Sequence, residues 1–287
     1  MPAANVPAGL SMTLTLGGGP TVRRLGFGAM RVTGPGVWGP PGDETQAVAL
    51  LRRVVDQGVN FIDTADSYGP GVSESLIAKA LYPYPAGLVV ATKGGLVRPG
   101  PDRWTTDCRP EHLRQACADS LRRLRLDRIE LYQLHAVDRR VPIEESVGAL
   151  VDLQAEGKIG QIGLSNVSAG ELARARKLTP IVSVQNHYNL RDRSDDRLVD
   201  QCAAAGIAFI PWYPLAAGRL AAPGSASARI AAQHHATPAQ VALSWLLHRS
   251  PAILPIPGTS SIAHFDENLA AAALRLTPEE YRALAAS

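Results

Sequence analysis

Four side chains that can take part in acid and base chemistry lie in or just after short apolar runs of the sequence. Asp63 ends the run VNFID, Lys93 ends LVVATK and His135 ends IELYQLH, while Tyr68 follows shortly after Asp63. A carboxylate, an ammonium, an imidazole and a phenol together can hold and donate a proton near neutral pH. If the runs are neighbouring parallel strands, their carboxyl ends meet and the four side chains lie within reach of one another.

Lys93 needs a charged partner if its run is buried. An ammonium that leaves water without a partner costs free energy, so we expect a carboxylate beside it, and Asp63 on the preceding run is the candidate. Such pairs occur in proteins both for packing and for catalysis, and the pair alone favours neither interpretation.

Tyr68 favours the catalytic interpretation. A phenol with an ordinary pKa of about 10 is a weak acid at neutral pH. A nearby ammonium stabilises the phenolate and lowers that pKa, so we expect Lys93 to make Tyr68 a better proton donor.

His135 alone is typical of a neutral histidine that is hydrogen-bonded at a strand end. Beside the other three groups, we expect it to take part in catalysis. No metal site is expected, because Asp63 and His135 lack a third ligand at a recognisable spacing and Lys93 would repel a cation.

The elements that must position these residues alternate between short apolar runs and longer amphipathic segments. The strand candidates are LGFGAM (25–30), VNFID (59–63), LVVATK (88–93), IELYQLH (129–135), IGQIGLS (159–165), IVSVQN (181–186), IAFIPW (207–212) and ILPIPG (253–258). The helix candidates are 44–57, 73–81, 110–123, 144–156, 169–178, 195–205 and 238–249. This alternation predicts parallel strands joined by helical crossovers.

We therefore predict an α/β fold, a (β/α)8 barrel of the TIM type in one domain over residues 1–287, with its chemistry at the carboxyl ends of the strands. A short N-terminal β-hairpin over 12–25 and two extra C-terminal helices, near 262–270 and from Thr277 onward, complete the prediction. The alternative, a doubly wound open sheet, predicts a GxGxxG turn, whereas LGFGAM lacks the third glycine and opens no helix.

Composition excludes several classes of protein. The 287 residues are 46% hydrophobic and 19% charged, enough apolar material for a large core. The net charge of +3 includes no basic block with interleaved aromatics, so no nucleic-acid partner is expected. No export signal and no apolar run of about 18 residues is present, which predicts a cytoplasmic protein without membrane contact and leaves its oligomeric state open. The 3 cysteines form no CxxC pair, so reduced thiols are expected.

Five motifs in register resemble the aldo-keto reductase superfamily over nearly the whole chain. They are FIDTADSYG, VVATKGG, LYQLH, IGLSN and IPGTSSIAHFDEN. The resemblance implies a catalytic tetrad of Asp63, Tyr68, Lys93 and His135. Tyr68 would protonate a carbonyl oxygen as hydride arrives from the cofactor, Asp63 and Lys93 would tune Tyr68, and His135 would orient the carbonyl.

The resemblance also implies a nicotinamide cofactor that lies across the barrel mouth. Ser165, Asn166 and Gln185 would bind its carboxamide, and Trp212 would stack on the nicotinamide ring. Ser and Asn also occur as loop caps, and Trp also occurs as a core residue. The other implied cofactor contacts are Gly28, Met30, Asp63, Tyr213, Pro214, Leu215, Gly218, Gly258, Ser260, His264, Glu267 and Asn268.

The adenosine end departs from the family pattern. Many members carry Lys at the position of Gly258 and Arg at that of His264, where they pair with the 2′-phosphate of NADP. Histidine holds a phosphate less strongly than the fork of an Arg. The resemblance favours NADP, with Arg219 or Arg229 as substitute contacts, and NAD stays open.

Substrate choice is expected in the loops that follow the strands. Trp38 and Trp104 are candidate walls of a substrate pocket, although either could instead cover the barrel rim. GAMRVTGPGVWGPP and ALYPY resemble the bacterial branch that includes pyridoxal reductases and pyridoxine 4-dehydrogenases. Four loop arginines would favour an anionic or polyhydroxylated substrate unless they are simply solvated: Arg98, Arg103, Arg139 and Arg140.

The expected function is therefore NAD(P)H-dependent reduction of a small aldehyde or ketone. The short stretch after the last predicted helix leaves no room for the long loop of steroid-type members. Two other classes stay open. One is a cofactor-binding subunit that senses redox state or acts as a scaffold, which the intact tetrad disfavours. The other is a metal-dependent sugar isomerase, which the lack of a carboxylate-rich ligand set disfavours.

Overall fold

The structure is a computed structural model that describes residues 12–216 and 225–286. Gly218 and Arg219, for which the sequence predicts cofactor contacts, lie outside the described residues.

A seven-stranded sheet forms the centre of the molecule, and every strand pairing in it is parallel. Its strands in chain order are β3 (Phe27–Gly28), β4 (Phe61–Asp63), β5 (Val89–Gly94), β8 (Ile129–Leu134), β9 (Ile159–Ser165), β10 (Ser183–Gln185) and β11 (Ala208–Phe209). Their spatial order is β11-β10-β9-β8-β5-β4-β3, which follows the chain. Each strand falls within a predicted apolar run or extends one residue past it.

The two edges of this sheet meet at residues 252–257. The backbone N–H of Phe209 in β11 donates to Ala252 O at 2.8 Å, and Phe209 O accepts from the backbone N–H of Leu254 at 2.9 Å. On the other side, the backbone N–H of Gly26 donates to Pro255 O at 2.9 Å. The sheet is thus curled into an α/β barrel. The last predicted strand forms only a single bridge in the structure, because Pro255 and Pro257 have no N–H to donate to a ladder.

Helices surround the sheet. They are α1 (Glu44–Asp56), α2 (Val72–Leu81), α3 (Pro110–Leu124), α4 (Ile143–Ala155), α5 (Ala169–Ala175), α6 (Asp196–Ala204), α7 (Ala226–Gln233), α8 (Pro238–Arg249), α9 (Ile262–Ala270) and α10 (Pro278–Ala285). Thr237 and Thr277 each close a capping box before a proline in the first turn, which fixes where α8 and α10 begin. Helix α7 was not predicted, because its 8 residues form a short segment rich in Ala and Ser.

Two antiparallel hairpins accompany the barrel. The first pairs β1 (Thr13–Thr15) with β2 (Thr21–Arg23), and Arg23 N donates to Asn60 Oδ1 at 2.8 Å, just before β4 begins. The second pairs β6 (Leu96–Gly100) with β7 (Arg103–Thr106) after the carboxyl end of β5. The sequence predicts a loop in that segment, whereas the structure forms an antiparallel hairpin there.

Buried side chains inside the barrel explain why the site lies at one end of it. Leu16 and Val22 of the first hairpin are fully buried in one cluster with strand residues such as Phe61 and Leu131. The hairpin therefore plugs the amino-terminal end of the barrel, and the carboxyl ends of the strands are left to form a site. Within the described ranges, no helix is both long enough and apolar enough to cross a membrane.

Candidate active site

Lys93 and Asp63 form a buried ion pair at the carboxyl ends of two adjacent strands. Strands β4 and β5 pair in parallel with Asp63 opposite Ala91, so Lys93 lies two residues farther along β5 on the same face of the sheet as Ala91. Lys93 Nζ donates to Asp63 Oδ2 at 2.6 Å and to the carbonyl of Thr64 at 2.8 Å. It also donates to Tyr68 Oη at 3.5 Å. The structure thus brings together a phenol, an ammonium and a carboxylate.

Two glutamines satisfy the second oxygen of Asp63. Gln185 Nε2 donates to Asp63 Oδ1 at 2.9 Å, and Gln133 Nε2 donates to the same atom at 3.3 Å. A buried carboxylate needs such donors, because an unpaired buried charge is costly. Gln133 was missed by the sequence analysis, although one amide inside the apolar strand IELYQL was a usable signal. Gln185, predicted to bind the cofactor, uses this N–H group to hold Asp63.

The protonation states of Tyr68 and Lys93 depend on burial and on each other. Burial raises the pKa of Tyr68 above its usual value, and the nearby Lys93 ammonium only partly opposes this. The sequence predicts a lowered pKa for Tyr68, and that prediction is wrong in its net direction because loss of hydration outweighs the effect of the cation. Burial acts to lower the pKa of Lys93, but Asp63 and Tyr68 outweigh it, so that pKa is raised. Tyr68 therefore keeps its proton and Lys93 keeps its charge.

His135 lies beside Tyr68 as a neutral imidazole. The two rings make an edge-to-face contact with centroids 5.8 Å apart, and His135 Nδ1 lies 3.3 Å from Ser67 Oγ. Burial, and next the Lys93 ammonium, hold the pKa of His135 well below its usual value. A neutral imidazole can donate one hydrogen bond, but it carries no imidazolium proton that would compete with Tyr68 as the proton donor.

The lowered pKa of His135 predicts a specific loss of stability in acid. The unfolded chain takes up a proton on this histidine near its ordinary pKa of about 6.5, whereas the folded protein resists doing so. The free energy of unfolding should therefore fall as pH drops below that value, by at most about 1.4 kcal/mol per pH unit from this residue. In urea unfolding at a series of pH values, His135→Gln should lack this slope. Parallel curves for the two proteins would show that His135 titrates normally.

A cavity of about 490 Å3 opens over these four groups. Asp63, Tyr68 and His135 line it directly, while Lys93 lies beneath them with no exposed surface. Eleven of the predicted cofactor contacts line the same cavity: Gly28, Met30, Asp63, Ser165, Asn166, Gln185, Trp212, Tyr213, Pro214, Leu215 and Gly258. The predicted pocket wall Trp104 lines it as well.

Trp212 and Asn166 are fixed to each other on one wall of this cavity. Trp212 Nε1 donates to Asn166 Oδ1 at 3.0 Å, and the Asn166 amide donates to His135 O at 2.9 Å and to Ser165 Oγ at 3.1 Å. The ring of His187 packs against Trp212 with centroids 4.5 Å apart. Trp212 is therefore held with one ring face covered by protein, as a stacking platform requires.

The resemblance predicts five residues around the adenosine half of the cofactor: Gly258, Ser260, His264, Glu267 and Asn268. Gly258 lines the cavity over Tyr68, and the other four lie elsewhere. His264 is exposed on α9. Glu267 Oε1 accepts from Thr237 Oγ1 at 2.7 Å, which ties α9 to α8. Asn268 is buried, and Ser260 lines a neighbouring cavity of about 350 Å3. The structure does not bring these four residues into the cavity over Tyr68.

Gly258 and Gly28 pack backbone against backbone where the sheet closes. A Cβ placed on Gly258 would lie 2.6 Å from Gly28 O, and a Cβ on Gly28 would lie 2.7 Å from Ile256 O. Real Cβ atoms do not approach a carbonyl oxygen so closely. The glycine at position 258 is thus required by this close approach, which gives a physical reason for the absence of the Lys that many members carry there.

The loop arginines behave differently from one another. Arg98 is buried, and its guanidinium donates to backbone carbonyls. Arg140 pairs with Asp138 at 2.8 Å, and Arg103 and Arg139 are exposed. Trp38 is not among the residues that line the larger cavity, although it lies 5.9 Å from the Arg98 guanidinium.

Within residues 12–216 and 225–286, no group of three His, Cys, Asp or Glu side chains is arranged to hold a metal ion.

Comparison with known proteins gives a consistent result. The sequence model of the aldo/keto reductase family matches residues 24–287. Pyridoxine 4-dehydrogenase of Escherichia coli is 46% identical over 275 residues, which cover 94% of this chain and 96% of that protein. An uncharacterized oxidoreductase of Schizosaccharomyces pombe is 48% identical over 263 residues, which cover 92% of this chain and 86% of that protein.

A solved structure agrees with these relatives. The aldo/keto reductase of Klebsiella pneumoniae in complex with NADP and acetate superposes with a TM-score of 0.80 at 30% sequence identity. The superposition covers 95% of this chain and 94% of that one.

Proposed function

The chain belongs to the aldo/keto reductase family, and we propose that it reduces a small aldehyde or ketone to an alcohol with Tyr68 as the proton donor. The observation that carries this proposal is the position of Tyr68. Tyr68 lines the cavity, while Lys93 Nζ lies 3.5 Å from its hydroxyl and is held by Asp63. A proton donor with a buried cation next to it is the arrangement that general acid catalysis needs.

A nicotinamide cofactor fits the residues of this cavity. Its wall carries an ordered aromatic face at Trp212, and amide and hydroxyl groups at Asn166 and Ser165 stand beside it. A flat ring with a polar carboxamide substituent needs both kinds of contact. When bound, the cofactor supplies the hydride that adds to the carbonyl carbon.

The residues of the chain supply the proton and the orientation. As negative charge develops on the carbonyl oxygen, Tyr68 Oη gives its proton to that oxygen, and the resulting phenolate is stabilised by Lys93 and then takes a proton from water. The raised pKa of Tyr68 keeps the proton in place until the oxygen becomes basic enough to accept it. Neutral His135, oriented by Ser67, donates a hydrogen bond to the same oxygen through its second nitrogen.

A panel of aldehydes and ketones that includes pyridoxal tests this function. Oxidation of NADPH and of NADH is monitored by absorbance. The relative that acts as a pyridoxine 4-dehydrogenase supports the choice of pyridoxal. We expect oxidation of NADPH that depends on the carbonyl compound. Cofactor binding without turnover over the whole panel would contradict the proposal and would favour the sensing or scaffolding subunit.

We propose NADPH as the preferred cofactor, which the NADP complex of the Klebsiella relative supports. Replacement of His264 by Arg should then tighten binding of NADPH and leave binding of NADH almost unchanged, because the two differ only in the 2′-phosphate. A charge-assisted hydrogen bond contributes about 1.5 to 3 kcal/mol, which corresponds to roughly a tenfold or greater gain in affinity.

Quenching of tryptophan fluorescence on titration with each cofactor measures both dissociation constants. Equal shifts for the two cofactors, or no shift in either, would show that residue 264 does not face the phosphate.

A further inference from the structure

Arg98 in β6 is a buried cation whose hydrogen bonds all go to the protein backbone. An arginine has five N–H donors, and here five carbonyl oxygens accept from them. The acceptors are Arg103 O at 2.8 Å from Nε, Val37 O at 2.7 Å and Ser67 O at 3.2 Å from Nη1, and Gly36 O at 2.7 Å and Gly100 O at 3.4 Å from Nη2. The guanidinium therefore has no donor left for an anionic substrate, which corrects the role that the sequence analysis considers for it.

The five carbonyls belong to three separate segments. Gly36 and Val37 lie in the loop after β3, Ser67 lies in the loop after β4, and the remaining two lie in the β6–β7 hairpin itself. Arg98 thus forms hydrogen bonds with three of the segments around the mouth of the barrel and links them together. A planar fork with five fixed donors can do this, whereas a lysine with three donors on a flexible stem cannot.

The same guanidinium supports a wall of the cavity. Its Cζ atom lies 3.7 Å from the centroid of the Trp104 ring, which is the geometry of a cation–π contact. Trp104 lines the cavity and meets the ring of Tyr68 edge to face, with centroids 6.4 Å apart. Trp104 is 38% exposed, so the contacts with Arg98 and Tyr68 hold a ring that lies partly at the surface.

Arg98 also reaches the catalytic groups through Ser67. The carbonyl of Ser67 accepts from Arg98, and the hydroxyl of Ser67 contacts His135 Nδ1 at 3.3 Å. Tyr68 is the next residue in the chain. One side chain therefore contacts both the Trp104 wall and the segment that carries the proton donor.

We propose that Arg98 is a positioning residue that makes the site selective for aromatic carbonyl compounds by holding Trp104 in place beside Tyr68 and His135. This inference rests on the proposed function. It adds the class of substrate, because a cavity that presents the rings of Trp104, Tyr68 and His135 matches a flat aromatic ring better than a short alkyl chain.

The test compares Arg98→Met with wild type on 4-nitrobenzaldehyde and on propanal, with NADPH as the hydride source. Methionine keeps much of the apolar stem but removes the fork. We expect kcat/KM for the aromatic aldehyde to fall by about tenfold or more, mainly through KM, since loss of an ordered contact surface weakens positioning. Propanal, which is too small to use the Trp104 wall, should lose much less. The dissociation constant of NADPH should stay the same.

Three further variants complete the design. Arg98→Lys should behave as Arg98→Met does, because charge without the fork does not hold the segments together. Arg103→Met is the matched control, since that side chain is exposed on the same hairpin and only its backbone carbonyl meets Arg98. Trp104→Leu removes the ring but leaves the hydrogen bonds of Arg98 in place, and it should show the same selective loss, so it tests the aromatic selectivity even if both Arg98 variants fail to fold.

Several outcomes would overturn the inference. Equal losses for both aldehydes together with a lower melting temperature would mean that Arg98 supports only the fold. A wild-type enzyme that prefers propanal, or a Trp104→Leu variant that keeps its aromatic preference, would also contradict it. If wild type oxidises NADPH with neither aldehyde nor any other carbonyl compound, the proposed function itself fails, which is a separate result.

Discussion

Replacement of Tyr68 by Phe is expected to lower the turnover number by about 10²- to 10⁴-fold while the dissociation constant of NADPH stays nearly constant. The substitution removes only the hydroxyl that lies 3.5 Å from Lys93 Nζ. The ring remains, so its edge contacts with Trp104 and His135 are kept. Loss of rate without loss of cofactor binding is the signature of a missing proton donor.

Single-turnover kinetics and fluorescence titration measure the two quantities separately. Tyr84→Phe is the control, because it also removes a tyrosine hydroxyl, one that donates to Leu124 O away from the cavity. The control should retain wild-type turnover. A Tyr68→Phe protein that keeps most of its activity would show that another group donates the proton.

The second large effect concerns the buried pair of Lys93 and Asp63. Lys93→Met and Asp63→Asn should each destabilise the protein by about 3 to 5 kcal/mol, because each leaves one partner charged and buried without its counterion. The double variant should recover much of this loss, since no unpaired charge remains. Activity should not recover in any of the three, because Tyr68 has then lost its cation or the group that holds that cation.

Urea unfolding of wild type, the two single variants and the double variant gives a double-mutant cycle for stability. Steady-state kinetics on the same four proteins gives a second cycle for activity. Recovery of activity in the double variant would show that the pair serves folding alone. Additive losses of stability would show that Lys93 and Asp63 do not interact as the 2.6 Å contact indicates.

The grouping of the four proposed catalytic residues could be predicted because Asp63, Lys93 and His135 each end a short apolar run, and Tyr68 lies five residues after Asp63. Parallel pairing of β4 with β5 and of β5 with β8 then brings the ends of those runs together. The apolar runs also predicted the positions of the strands well, because strands that are buried on both faces consist almost entirely of apolar residues.

The remaining features depend on contacts that no local pattern reveals. The segment at 252–257 closes the sheet without forming a strand, because its neighbours donate to it while its prolines cannot donate in return. The net direction of the pKa of Tyr68 depends on how deeply the phenol is buried. Arg98 looks like a solvated loop cation in the sequence, and only the fold shows that its five donors meet five carbonyls.

The most direct test of the account is the transfer of isotope from NADPH labelled with deuterium on one face of C4. The labelled cofactor is incubated with an aldehyde that the protein reduces, and the alcohol is examined by proton NMR. Direct hydride transfer in an ordered site predicts one deuterium on the carbinol carbon from one labelled face and none from the other. Product without label from either face, or equal label from both, would contradict a carbonyl held between the cofactor and Tyr68.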